Sequence, residues 1–289
     1  MKTVSISIGI AHAGFLPERK PGLARLLEQI DNYPRPQHGG NVHVSRSLVR
    51  EHASVWAKRL WEWAATQEAD AVVLLNDDVT LCPNFVQTVQ AMVAAVPDQV
   101  IALHCTAPVA PSLAAAGEQW LRSYWLTGPA YILPRGAAKR LLEWVANAPK
   151  SLIASVNEDN VIMHWAWSEQ RPIWHSLPAL VQHDVSVPST LGYDNHPMRQ
   201  SNVAWDSPHF KGESFINAED WAPKAEPVMV QCPWMSNEAF SRVERAYQSV
   251  PQLCCFCHAR AGQLGSATGA VICGPCLSNC VNALVTRAA

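Results

Sequence analysis

No stretch of this 289-residue chain stays apolar for the ~20 residues that a membrane-spanning helix requires. That absence argues against a helical span. A large charge of either sign is lacking too. The net charge is −2 and the isoelectric point lies near 6.6, so a global footprint for nucleic acid or an anionic membrane is absent, and only a local basic face could serve. The opening stretch MKTVSISIGIAHAG has one lysine and no convincing small-residue cleavage site, and it reads as a first β-strand rather than a leader. No internal repeat is visible. What the chain does have is 48% hydrophobic and 16% charged residues, enough to bury a sizeable core.

Cysteine is unevenly distributed. Cys82, Cys105 and Cys232 are scattered, whereas Cys254, Cys255, Cys257, Cys273, Cys276 and Cys280 crowd the last 36 positions. An odd total of nine, clustered in this way, argues for metal binding in a reducing compartment rather than a disulfide framework. A cytoplasmic location is expected. Two C-x₂-C pairs, Cys254/Cys257 and Cys273/Cys276, can deliver four thiolates to tetrahedral Zn²⁺. Four protein ligands leave no open coordination position, so such a site is structural, and a module this small has little core without its metal.

The first two-thirds of the chain alternates strand-like and helix-like segments. Strands are expected over 3–10, 71–75, 99–104 and 130–133, with helices over 45–65, after Pro83, through GAAKRLLEWVANA and from Glu158 onward. Such alternation predicts an α/β fold, a mainly parallel sheet covered by helices on both faces. Ligands bind beyond the carboxyl ends of such strands. Residues 184–250 are rich in Pro, Asn, Trp and His and read as loops folded over the core, or a lid. The expected organisation is a domain over 1–250 and a zinc module over 251–289.

The stretch VVLLNDDVTLCPNF carries the sharpest question. A buried strand runs directly into Asn76, Asp77 and Asp78, and two adjacent carboxylates repel each other and resist desolvation. One Asp could cap the helix that follows Pro83. General acid/base chemistry would want the two groups a substrate apart rather than adjacent. A divalent cation with hard oxygen ligands answers the charge problem, because the cation offsets it.

This strand, with WLTGPAYILPRGAAKRLLEW (125–144), VNEDNVIMHW (156–165) and LPALVQHDVSVPSTLG (177–192), resembles the nucleotide-sugar-dependent glycosyltransferases of the GT-A fold. The resemblance spans roughly 3–195 and rests on the order and character of segments. It implies that the strand-end motif, usually Asp-x-Asp, holds Mn²⁺ or Mg²⁺ against the donor diphosphate. Asn76 departs from that motif. Asp78 is then the implied direct ligand, and Asp77 would contact the ribose or bind through water. The same resemblance makes Asp159 the implied base that deprotonates the acceptor, with Glu158 second, and His183 a further metal ligand. It places Ala11, His12 and Gly14 beside the nucleotide base, Arg46 beside the phosphates at the start of a helix, and Gly128 beside the sugar pocket, with Trp125 or Tyr124 as a stacking surface. Each residue also has a plainer reading: acids at a helix start suit its dipole, and most of the 11 histidines are structural.

The terminal segments CCFCHARAG and AVICGPCLSNCVNAL resemble the small zinc-binding domain of the ClpX unfoldase, over about 254–285. That likeness implies a dimerising or docking module. The expected activity is metal-dependent transfer of a sugar from a nucleotide sugar to a hydroxyl acceptor such as a hydroxymethylated DNA base, a polysaccharide or a protein. A non-catalytic binding protein of the same fold and a sugar nucleotidyltransferase are the alternatives. The latter would want a Gly-rich, basic loop after the first strand, which GIAHAGFLPERKPG matches loosely.

Overall fold

A computed structural model describes residues 4–31, 39–148, 150, 153, 157–190, 199–207, 210 and 215–230. The zinc module, with Cys254, Cys257, Cys273 and Cys276, lies outside the described residues. So does Cys232.

The chain opens with β1 (Ile6–His12), a 3₁₀ turn (Pro17–Arg19), α1 (Lys20–Asp31) and β2 (Gly39–Arg46). Next come α2 (Ala53–Ala65), β3 (Ala71–Asn76), β4 (Val79–Leu81) and α3 (Phe85–Ala95). Then follow β5 (Ile101–Ala102), α4 (Ala110–Ala115), β6 (Trp120–Ser123), β7 (Ala130–Pro134) and α5 (Ala137–Asn147). The last described elements are α6 (Glu158–Ser168), β8 (Ile173–Ser176), β9 (Val181–His183), a 3₁₀ turn (Ala218–Trp221) and β10 (Val228–Met229). Eight strands form one sheet in the order β10-β6-β8-β5-β7-β3-β1-β2, and β4 pairs with β9 in a separate ladder.

Period-two alternation sorts the strand side chains into two layers. Ile6, Ile8, Ile10, Val73 and Leu75 face α1 and α3, where they meet Leu23, Leu26, Phe85, Val89 and Met92. Val72, Leu74, Tyr131 and Leu133 face the opposite way, against Trp56, Leu60, Trp61, Leu141, Ile162 and Trp165 of α2, α5 and α6. Helices therefore cover both faces, which is why β1 is buried along its whole length. A third apolar cluster, built on Trp125, Trp167, Leu177 and Val203, lies under the chain that follows β8.

The sheet is mostly parallel, as expected: β1 runs parallel to β2 and β3, β5 to β8 and β10 to β6, while β7 is antiparallel to both β3 and β5, and β6 to β8. One expectation needs correction. The helix expected over 45–65 begins only at Ala53, because Gly39–Arg46 is a sheet edge paired with β1. Val49, expected on the buried face of that helix, is 64% exposed. The stretch after 184 packs against the core at several of its described positions. Trp221 is completely buried against Trp120, whose indole N–H donates to the Trp221 carbonyl at 2.8 Å. No helix among the described residues is long and apolar enough to cross a membrane.

Candidate functional site

Parallel pairing fixes what meets at the carboxyl ends of β1, β2 and β3. Ala11 stands opposite both Ser45 and Asn76, and His12 opposite Arg46. The chain then turns at Asp77 and Asp78 before β4. Two glycines permit the close approaches around this point. A Cβ on Gly22 would lie 2.8 Å from the Asp77 carbonyl oxygen, so the first turn of α1 can pack here only with glycine at that position. A Cβ on Gly128 would lie 3.3 Å from that of Asp159.

Asp77 is 0% exposed and both of its oxygens are engaged. Oδ2 lies 2.6 Å from His12 Nδ1 and accepts the Ala13 N–H at 2.9 Å, while Oδ1 accepts from Arg19 Nη1 at 2.5 Å. Arg19, itself 3% exposed, places Nη2 3.1 Å from Asp78 Oδ2. The charge that the strand end would leave unpaired is thus met first by a buried guanidinium. Both Asp77 oxygens are engaged within the protein, and His12, 3% exposed, faces Asp77.

Asp78 differs. Its Oδ2 lies 3.5 Å from both Arg199 Nη2 and His183 Nδ1. Burial opposes its ionisation, but the His183 ring beside it, then the charges of Arg19 and Arg199, outweigh that and hold the carboxyl below its ordinary range. Its Oδ1 is buried with no hydrogen-bond partner, while His183 Nδ1 has Asp78 Oδ2 as its ion-pair partner at 3.5 Å. The β4–β9 ladder makes this pair, since Val79 stands opposite His183 and the Asp184 N–H donates to the Asp78 carbonyl at 2.7 Å. A partnerless hard carboxylate oxygen beside a loosely paired imidazole nitrogen fits a Mn²⁺ or Mg²⁺ that would take its other ligands from a diphosphate and water. Among the described residues no cluster of three or more His, Cys, Asp and Glu could hold a metal alone.

The second acidic pair opens α6. The Asn160 N–H donates to Asp159 Oδ1 at 2.8 Å, and the Gly128 N–H donates to the same carboxyl. Asn76 and Glu158 line the same crevice, and the Asn76 N–H donates to the Pro129 carbonyl at 2.8 Å. No arginine or lysine is among the groups that shift these two acids. Burial raises Asp159 to about 6 against the pull of its backbone donors. Burial, then the Asp159 charge, raises Glu158 to about 8, with the nearby Asn76 amide opposing and the Asp78 charge adding. A small crevice beside Glu158 is lined by Ala11, Trp56, Leu75, Asn76 and Tyr131.

Deeper in, burial above all lowers His104 to about 3, with the neighbouring His183 assisting. Burial also lowers His175, to about 4. These are neutral, structural rings; His175 sits 2.8 Å from Ser123 Oγ and stacks on Trp125. Trp125, 5% exposed, is therefore core rather than a sugar platform, and Tyr124 stacks on Trp167. Cys82 and Cys105 are buried, and burial pushes both thiols up to about 12, so neither is a nucleophile.

Of the residues singled out from sequence, Ala11, His12, Asp77, Asp78 and His183 gather at one end of the sheet, and Gly128, Glu158 and Asp159 lie beside Asn76. Gly14 follows the His12 turn, its N–H donating to the His12 carbonyl at 2.9 Å. Arg46 is exposed at the end of β2 rather than at a helix start. Arg19 and Arg199, 58 and 121 residues from their acidic partners, were missed. Their only signal was that two adjacent buried carboxylates require a buried cation.

No protein-family model matches this chain, and no curated protein does. Solved structures do, at low identity. A Bacillus anthracis protein assigned as a glucose-1-phosphate thymidylyltransferase, in complex with sucrose, covers 72% of this chain and 100% of its own at 8% identity and TM-score 0.40. A glycosyltransferase involved in glycosylation of the major capsid of PBCV-1 covers 50% and 69% at 16% identity and TM-score 0.32. A Thermus thermophilus protein described as mannose-1-phosphate geranyltransferase covers 61% and 74% at 13% identity and TM-score 0.33. Likeness of this degree assigns no activity to the chain, which must be argued from its own site.

Proposed function

We propose that this protein is a transferase that uses a nucleotide sugar, and specifically a metal-dependent glycosyltransferase acting on a hydroxyl acceptor. The observation that carries this reading is the partnerless buried Asp78 Oδ1 in a carboxyl paired with His183 at 3.5 Å, close enough to Glu158 for the two charges to interact.

Asp78 and His183 would hold Mn²⁺ or Mg²⁺, which when bound supplies positive charge against a diphosphate leaving group. Arg19 and Asp77 set the site rather than react: their ion pair fixes the turn from which Asp78 projects. Asp159 is the base. A carboxyl near 6 is largely ionised at neutral pH yet basic enough to accept a proton, which is the compromise that general base catalysis needs. As the acceptor oxygen bonds to the anomeric carbon, its proton passes to Asp159. The bond from that carbon to the diphosphate breaks, and the electron pair leaves with the nucleoside diphosphate. Glu158 holds its proton at neutral pH and can donate a hydrogen bond to a sugar hydroxyl.

The nucleotidyltransferase alternative needs a basic loop after β1 that is free to grip a triphosphate. Arg19, in that loop, is committed to Asp77 and Asp78, which favours the glycosyl reading. Incubation with Mn²⁺ and a panel of nucleotide sugars should release nucleoside diphosphate, and Asp78→Ala should abolish the release. Turnover with no donor and no thermal stabilisation by any, unchanged in Asp78→Ala, would sink the proposal. Pyrophosphate formed from a nucleoside triphosphate and a sugar phosphate would transfer it to the alternative.

A further inference from the structure

The chain that leaves β5 runs between the two halves of the site. The Leu103 N–H donates to the Ala130 carbonyl at 3.1 Å, at the start of β7. The Leu103 carbonyl accepts from the N–H groups of Leu180 and Val181, at 2.9 and 3.1 Å, where β9 begins. His104 follows, completely buried, and its side chain spans the same gap. On one side its ring meets that of His183 edge to face, with centroids 5.5 Å apart and planes at 82°. On the other, its Nδ1 lies 3.3 Å from Thr127 Oγ1. Thr127 adjoins Gly128, where the backbone runs so close to α6 that a Cβ would lie 3.3 Å from that of Asp159.

We propose that His104 is a positioning residue: its ring, anchored by Thr127, sets the orientation of His183 and ties it to the loop that packs on Asp159. The proposal rests on the metal-dependent reading for the use made of His183. Orientation matters there because an imidazole serves a metal only when its ring is held with the ligating nitrogen aimed at the ion. Little else holds this ring. His183 ends β9, a strand of three residues paired with the three of β4. Its Nδ1 stands 3.5 Å from Asp78 Oδ2, beyond hydrogen-bond length, so that contact leaves the ring free to turn. The second torsion of a histidine has no sharp preference of its own. An edge-to-face neighbour removes that freedom, provided its own ring is fixed, and Thr127 fixes it.

Two readouts test this without turnover: binding of Mn²⁺ alone, followed by paramagnetic resonance of the free ion, and the His183 ring resonances in histidine-labelled protein. His104→Ala should weaken Mn²⁺ binding by about 10–100-fold, the usual cost of losing a residue that orients a metal ligand. His104→Phe keeps a ring against His183 and should recover much of that loss. In a His183→Ala background, His104→Ala should cost no further affinity, whereas a general disruption of the fold would. Thr127→Val is nearly isosteric and covers the case in which His104→Ala fails to fold. It should weaken Mn²⁺ binding by less and still move the His183 resonances, although His104 lies between the two residues. Undiminished Mn²⁺ binding by His104→Ala, or unmoved His183 resonances in Thr127→Val, would overturn the proposal. A wild type that binds no Mn²⁺ would defeat the functional reading instead, and the resonances would still decide whether Thr127 and His104 orient His183.

Discussion

Two pairs of adjacent acids meet at one end of this sheet, and they have opposite electrostatics. Asp77 and Asp78 are almost completely buried, yet the Asp78 carboxyl is held below its ordinary range. Glu158 and Asp159 are less buried by surface area, yet they are raised to about 8 and about 6. Burial opposes ionisation in Asp78 and in both members of the second pair. The difference is the company: the first pair has two buried guanidiniums within 3.5 Å, and the second has amides, a phenol and its own like charges. Adjacency in sequence therefore says little about charge state. What crosses the fold to meet an acid decides it.

The comparison breaks most severely if the guanidinium is removed. Arg19→Met keeps much of the side-chain volume but leaves Asp77 buried without its cation, and a cost of about 3–5 kcal/mol is expected in urea unfolding. A loss below about 1 kcal/mol would mean that Arg19 is not the counter-charge.

Gly128→Ala sharpens the other side. Its new methyl would crowd the Asp159 Cβ at 3.3 Å, so that side chain must shift or the loop must yield. About 1–3 kcal/mol of stability should be lost, with transfer falling further than donor binding.

A smaller effect should separate the pairs by pH. The folded-state carboxyls of Glu158 and Asp159 lie above their ordinary values of 4.5 and 3.8. Between those values and about 8 and 6 the folded state holds more protons than the unfolded one, so stability declines as pH rises through that window. Asp78 has the reverse sign: its contribution is present above its ordinary value of 3.8 and is lost on acidification. Melting temperatures should therefore peak in mildly acid buffer and fall toward about pH 8, and Glu158→Gln should flatten the alkaline fall. An unchanged fall in that variant would assign it to another group.

Much of the frame was legible in the sequence. The β-branched run of β1 and the aliphatic run of β3 could only be buried strands, and the 3.6-residue spacing after Pro83 and over 137–147 pointed to α3 and α5. The edge strand β2 escaped, because GGNVHVSR is short of large aliphatic residues and is stabilised by its pairing with β1 rather than by its own pattern. The antiparallel direction of β7 within the mostly parallel sheet left no signal, since burial on both faces gives β7 the same apolar run whichever way it points. At the site, spacing located the acids but not their partners. Asp78 meets His183 through the β4–β9 ladder and Arg199 through a contact across 121 residues, and neither distance leaves a trace in local sequence. Asp77 is likewise held by Arg19 and His12, partners that its local sequence does not show.

The central claim is that the two pairs do different work, Asp78 with His183 holding the donor and Asp159 moving the proton. It is tested most directly by titrating wild type, Asp78→Asn and Asp159→Asn with nucleoside diphosphates in the presence of Mn²⁺, alongside transfer rates on the donor the wild type uses. The account predicts that Asp78→Asn loses binding, while Asp159→Asn binds like wild type and loses transfer by about 10²–10⁴-fold. Equal loss of binding in both variants, or undiminished binding in Asp78→Asn, would contradict it.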